Sequence, residues 1–132
     1  MLPVINKNLH LSISALLIII IALAYGLSPE NILPKLFAFQ VYSTDLKQVF
    51  RAIMGLYLSM ACLWITGISK PAYWKTATIS NICFMGGLAF GRVVSLVFDG
   101  LPNTYFLMGM MLEIILGLWG IKNLKQFGNH GK

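Results

Sequence analysis

The sequence predicts an all-α integral membrane protein, a four-helix bundle with antiparallel spans and short connections. Composition is the first reason: 58% of the 132 residues are hydrophobic and only 11% are charged, whereas a soluble domain is nearer a quarter charged. The second is the presence of four apolar stretches, near 9–27, 49–68, 73–98 and 105–121. Each is close to the ~20 residues that a helix needs to cross hydrocarbon. Little chain is left over. Residues 1–132 therefore form one predicted transmembrane domain, with an outer interfacial segment at 28–48.

The first stretch begins near Lys7 and contains the run Ile18–Ile21 without a charge. Ala22-Leu23-Ala24 also fits a signal-peptide cleavage site; a spanning helix facing lipid over much of its surface is the reading taken. Ser12 and Ser14 can turn their hydroxyls onto the helix's own carbonyls. Ser28-Pro29 suits an N-cap followed by proline at the first helical position, and Pro34 is expected to end that short turn. Residues 36–42 are too short to span and apolar enough to lie at the interface or fold over the helices. Ser43-Thr44-Asp45 predicts the cap of the second span, with the Asp45 anion favoured at a helix N-terminus. Ser69-Lys70-Pro71 stops that span and makes a hairpin with the third. Asp99-Gly100-Leu101-Pro102 is a tight turn into the fourth, and 128–132 is a polar tail. Cys62 and Cys83 lie within spans and are expected to be small apolar packing residues. No His or second Cys stands at ligand spacing, so neither a metal nor a cofactor is expected.

The net charge of +6 is unevenly placed. With four spans, Lys7, Lys70, Lys75, Lys122, Lys125 and Lys132 share one side. Lys35 and Lys47 lie opposite with Glu30, Asp45 and Asp99. Lys and Arg accumulate on the cytoplasmic side, so both termini are expected there, in a multi-pass inner-membrane protein. The basic balance is a topology signal; no basic domain offers a nucleic-acid footprint. Tyr73, Trp74 and Trp119 fall at the expected cytoplasmic boundary and Tyr42 and Tyr105 at the outer one, as interfacial anchors do.

Three charges stand inside spans: Arg51, Arg92 and Glu113. Such residues are costly in hydrocarbon and usually face the protein interior and pair. At about 1.5 Å per residue, all three lie roughly 9–12 Å from the outer boundary, which predicts one polar layer flanked by Asp45 and Asp99. On the third span Asn81, Arg92, Ser95 and Asp99 follow helical spacing. Gly55, Gly87, Gly91, Gly109 and Gly117 lie on or near these faces, where small residues let helices approach.

These same segments resemble a known family. Asp45-Leu46-Lys47-Gln48-Val49-Phe50-Arg51-Ala52-Ile53-Met54-Gly55-Leu56-Tyr57 and Phe84-Met85-Gly86-Gly87-Leu88-Ala89-Phe90-Gly91-Arg92 look like its hallmark stretches. Ser95, Asp99-Gly100-Leu101-Pro102 and Glu113 continue the pattern, as do Gly26-Leu27-Ser28-Pro29, Leu33 and Pro34. The chain is similar, from about Leu11 to Leu124, to the small four-helix bacterial membrane proteins called domain of unknown function 4345. The resemblance implies a four-helix inner-membrane protein and assigns no activity.

The polar layer admits a buried ion network that only fixes helix register, a pocket for a lipid head group or small amphiphile, or a subunit contact in a homo-oligomer or larger membrane complex. Proton- or ion-coupled transport, or an oligomeric pore, with Glu113 as the titrating group is the alternative, although no inverted repeat or broken span is visible. An enzyme is disfavoured: H-E-x-x-H, G-x-S-x-G and a plausible Cys–His pair are all missing. His10 and His130 are expected to be an edge residue and a tail residue on the cytoplasmic side.

Overall fold

The computed structural model describes the backbone of residues 2–129 and the side chains of residues 7–129; His130 and Lys132 lie outside the described residues. Five helices form in chain order: α1 Leu2–Gly26, α2 Pro29–Leu36, α3 Thr44–Ser69, α4 Pro71–Phe98 and α5 Thr104–Phe127. Four of them, all but α2, are long and apolar enough to cross a membrane. The protein is thus an all-helical, multi-pass membrane bundle.

Local chemistry sets the ends. Ser43 caps α3, its Oγ accepting the Leu46 N–H at 3.1 Å, so the helix starts at Thr44, several residues before its apolar run. Pro71 occupies the first turn of α4, where a missing N–H costs nothing. Only Lys70 separates α3 from α4, so the pair is an antiparallel hairpin. Asn103 caps α5 through Oδ1, which accepts the Tyr105 N–H at 3.0 Å. The turn before it holds Gly100 at φ +92°, a conformation that glycine adopts without a Cβ penalty. In the other short helix, Pro34 does not end α2, which runs two residues further to Leu36. Pro34 forgoes only its own bond to the Glu30 carbonyl, and Phe37 N–H closes the helix on the Leu33 carbonyl at 2.8 Å.

Packing runs α1 against α3, α3 against α4 and α4 against α5, with α1 meeting α5 more loosely to close the bundle. The core contains Leu11, Ala15, Ile18 and Ala22 of α1, Tyr57, Ala61 and Trp64 of α3, Ala77 and Met85 of α4, and Leu116 of α5. The first span is the most enclosed of the four: one face packs inside, while Leu16, Ile20 and Leu23 on the other remain exposed. Ser14, Ala15 and Ala22 are small, so α3 can lie close along the packed face. Segment 36–42 folds over the bundle: Val41 is buried, and Phe37 stacks on Phe106 with ring centroids 4.3 Å apart. The two described ends of the chain lie at the opposite end, where Asn123 Nδ2 donates to the Lys7 carbonyl at 3.5 Å.

Several interior assignments differ from expectation. Trp74 is a core residue, with Lys7 Nζ 4.4 Å from its ring centroid and Phe127 against its edge. His10 is fully buried and meets Trp119 edge-on. Cys62 and Cys83 are exposed free thiols, turned outward because the inward positions of their helices are held by Ala61, Trp64, Asn81 and Met85.

The α3–α4 crossing depends on Gly67. A Cβ there would collide with the Ala77 Cβ of the facing helix, whereas a Cβ at Gly55 would meet nothing. Gly67→Ala is expected to destabilise the bundle by about 1–3 kcal/mol through overpacking. Gly55→Ala is expected to be neutral or stabilising by up to about 1 kcal/mol, the helix-propensity difference. Reversible unfolding in mixed detergent micelles measures both.

Candidate functional site

The end of the bundle covered by α2 and segment 36–42 holds one ion pair. Arg92 of α4 directs its Nε–H between both oxygens of Glu113 on α5, at 3.0 Å to Oε1 and 2.8 Å to Oε2. These helices are antiparallel neighbours joined by the 99–103 turn, so a residue near the end of one meets a residue in the first half of the other. Their side chains are largely buried, 23% and 10% exposed. Gly109, one turn before Glu113, leaves room for the guanidinium; a Cβ there would lie 3.6 Å from Arg92 Nη2. Phe106 presents its ring 5.6 Å from the Arg92 Cζ, within the range of cation–π attraction. Because the carboxylate uses only Nε, four of the five guanidinium N–H groups are not consumed by it.

Two cavities meet at this pair. The smaller, about 140 Å³, is lined by Leu17, Leu36, Phe37, Gly109 and Glu113, among others. The larger, about 480 Å³, is lined by Phe50, Gly87, Gly91, Ser95 and Met110, among others. Tyr25, Tyr57, Leu88, Arg92 and Phe106 line both, so the cavities adjoin as two lobes on either side of these side chains. Their walls are chiefly aliphatic and aromatic. Exposed Gly87 and Gly91 carry the larger lobe to the outward face of α4. Such a lining, with few convergent polar groups, is typical of a small-molecule site.

The other sequence-selected residues are dispersed. Arg51 is exposed and donates through Nε to the Gly26 carbonyl at 3.4 Å, away from Glu113. Asp45 is exposed in the first turn of α3. Asp99 is exposed too, and accepts from Ser95 Oγ at 2.8 Å. Asn81 is fully buried but lies roughly 16 Å along α4 from Arg92, in a different layer. Gly117 packs at contact distance, a Cβ there lying 3.6 Å from the Met85 Cβ, while Gly55, Gly87 and Gly91 have open space beside them. Metal ligands do not gather: among the described residues no group of three or more His, Cys, Asp or Glu could hold an ion.

Sequence reasoning missed Tyr25, Tyr57 and Phe106. For the two tyrosines the signal available was a phenol inside an apolar run, which in hydrocarbon needs somewhere polar to point; Phe106 carried no such signal.

Residues 7–122 match the family model described as domain of unknown function (DUF4345). The chain belongs to the DUF4345 family. Comparison with curated proteins and with solved structures finds no match. The family match thus covers all four spans up to the last turns of α5, and with them the whole of this site.

The ion pair itself yields a prediction. Glu113→Ala leaves a buried guanidinium unpaired and is expected to cost about 3–5 kcal/mol, as breaking a buried pair does. Replacing both partners, Arg92→Met with Glu113→Leu, is expected to cost less than either single change, because no charge is stranded. A double-mutant cycle on unfolding free energies in micelles measures the difference.

Proposed function

We propose that this protein is a small membrane binding protein whose two-lobed cavity takes an amphiphile, with the polar end against Arg92 and the apolar part along the larger lobe. The observation that carries this reading is that Arg92 lines both lobes while Glu113 uses only its Nε. The pair is electrically neutral, so the cavity holds no surplus positive charge for an anion. What it offers is N–H donors, with the Tyr25 hydroxyl beside the guanidinium and the Tyr57 ring in the wall. A head group rich in hydrogen-bond acceptors, such as an ester or ketone carbonyl, suits those donors. The exposed Gly87 and Gly91 edge gives a tail access from the surrounding lipid.

Transport through Glu113 has less support, because both carboxylate oxygens are held by Arg92. For location we propose a bacterial inner membrane with both termini cytoplasmic. The support is the lysines near the ends of α1, α3, α4 and α5, which face an opposite end that mixes acids and bases.

Two outcomes test these readings. Mass spectrometry of the mildly purified protein is expected to show a retained lipid or small amphiphile. Gly91→Leu, which fills the larger lobe from a position where a Cβ meets nothing, is expected to reduce that ligand tenfold or more, about 1.4 kcal/mol in affinity. A protein purified empty, or carrying only a protein partner, overturns the binding role, as does a ligand load unchanged in Gly91→Leu and Arg92→Met. Reporter fusions at either terminus are expected to be active only in forms that work in the cytoplasm; activity of an exported reporter at either end reverses the orientation.

A further inference from the structure

Six buried side-chain polar atoms have no hydrogen-bond partner among the described residues. Five of them belong to α1 and α4: His10 Nδ1, Ser14 Oγ, Trp74 Nε1, Asn81 Oδ1 and Asn81 Nδ2. The two helices meet here through Lys7 over Trp74 and Asn81 beside His10, with Ser14 one turn beyond His10 on the buried face of α1. Trp74 and Asn81 are two turns apart on the buried face of α4. Lys7 Nζ over the Trp74 ring brings the starts of the two helices to within about a turn of the same level. Seven residues further along each helix, Ser14 and Asn81 therefore lie at similar depths, roughly 10 Å inward. Asn81 stands beside His10.

The chemistry of the orphaned atoms specifies what would satisfy them. His10 Nε2 meets the Leu116 carbonyl at 3.1 Å. A carbonyl only accepts, so the proton is on Nε2 and Nδ1 is left as an acceptor. Trp74 Nε1 and Asn81 Nδ2 need acceptors, Asn81 Oδ1 needs a donor, and Ser14 Oγ serves as either. A direct Asn81-to-His10 bond would settle two atoms and strand three. Polar groups in a membrane interior must be satisfied internally or by water, and a buried water typically makes two to four bonds to such groups. We infer that the α1–α4 seam is a hydrated site, a short row of bound waters entering at the Lys7 end and stopping at Ser14 and Asn81. Asn123, donating to the Lys7 carbonyl, makes the mouth polar. Buried Ile18 and Met85, one turn beyond Ser14 and Asn81, stand between the seam and the Arg92 cavity, whose wall they also form.

Nuclear magnetic resonance of the intact, isotope-labelled protein in micelles tests this without any substitution. The Asn81 side-chain amide and Trp74 indole protons are expected to give water cross-peaks. Trp64, equally buried but donating to Ser80 Oγ at 3.1 Å, is the internal control and is expected to give none. Loss of the cross-peaks at Asn81 and Trp74, so that both behave like Trp64, overturns the hydrated seam. As a second measurement, Asn81→Leu is expected to remove the inner water and shift the His10 Nδ1 nitrogen signal while Trp74 keeps its cross-peak. An unchanged Nδ1 signal in that folded variant also overturns it.

Discussion

Hydrocarbon supplies no hydrogen bonds, and this constraint orders the whole bundle. Backbone groups meet it by forming helices, which is why the described chain is almost entirely helical. Side chains meet it one at a time. Ser12, Thr66, Ser69 and Thr78 turn onto carbonyls four residues back. Ser59 and Ser80 turn onto carbonyls three residues back. Trp64 reaches across to Ser80. Groups that find no such neighbour collect at two levels, the Arg92–Glu113 pair at one end and the His10–Asn81 seam towards the other. Between them lie buried Leu11, Ile18, Met85 and Leu116, the last three forming part of the wall of the smaller lobe.

Rise along a helix was readable from sequence and rotation around it was not. Depth arithmetic correctly brings Arg92 level with Glu113, since 1.5 Å per residue holds for any helix. It also brings Arg51 level with them, yet Arg51 lies six residues from buried Tyr57, about 120° away around the helix at ~100° per residue. That turns it out of the bundle. The opposite error befell Asn81. It is eleven residues from Arg92 and within about 20° of the same face, so a shared stripe concealed two layers. A face and a depth are both needed to place a side chain.

The buried face of α1 was hidden for a different physical reason. A run of four isoleucines without a charge looks like a lipid-facing surface, because apolar content cannot distinguish lipid from protein as a neighbour. The informative signal was spacing. His10, Ser14, Ile18 and Ala22 recur every fourth residue, with Leu11 and Ala15 beside them, and all six are buried. Small residues at that period mark a contact face, and the one titratable side chain on it belonged inside. Similarly, Gly87 and Gly91 have the spacing of a close crossing but open space beside them. In this chain their absent side chains shape the cavity wall.

The two polar levels differ in what they can do because they differ in satisfaction. Glu113 is paired with Arg92 through both oxygens, so the pair contributes fixed geometry and a set of donors that do not depend on capturing a counter-ion. A neutral pair also costs the surrounding lipid less than a lone charge would. It therefore suits discrimination by acceptor geometry more than attraction by charge. The seam is unsaturated and small, so it suits water and excludes anything with a tail. The amphiphile proposed above, entering from the lipid through the Gly87–Gly91 edge, would meet only the first of these. Buried Ile18 and Met85 stand between the two levels, and wherever water is excluded each donor of Arg92 counts for more, since nothing competes for it.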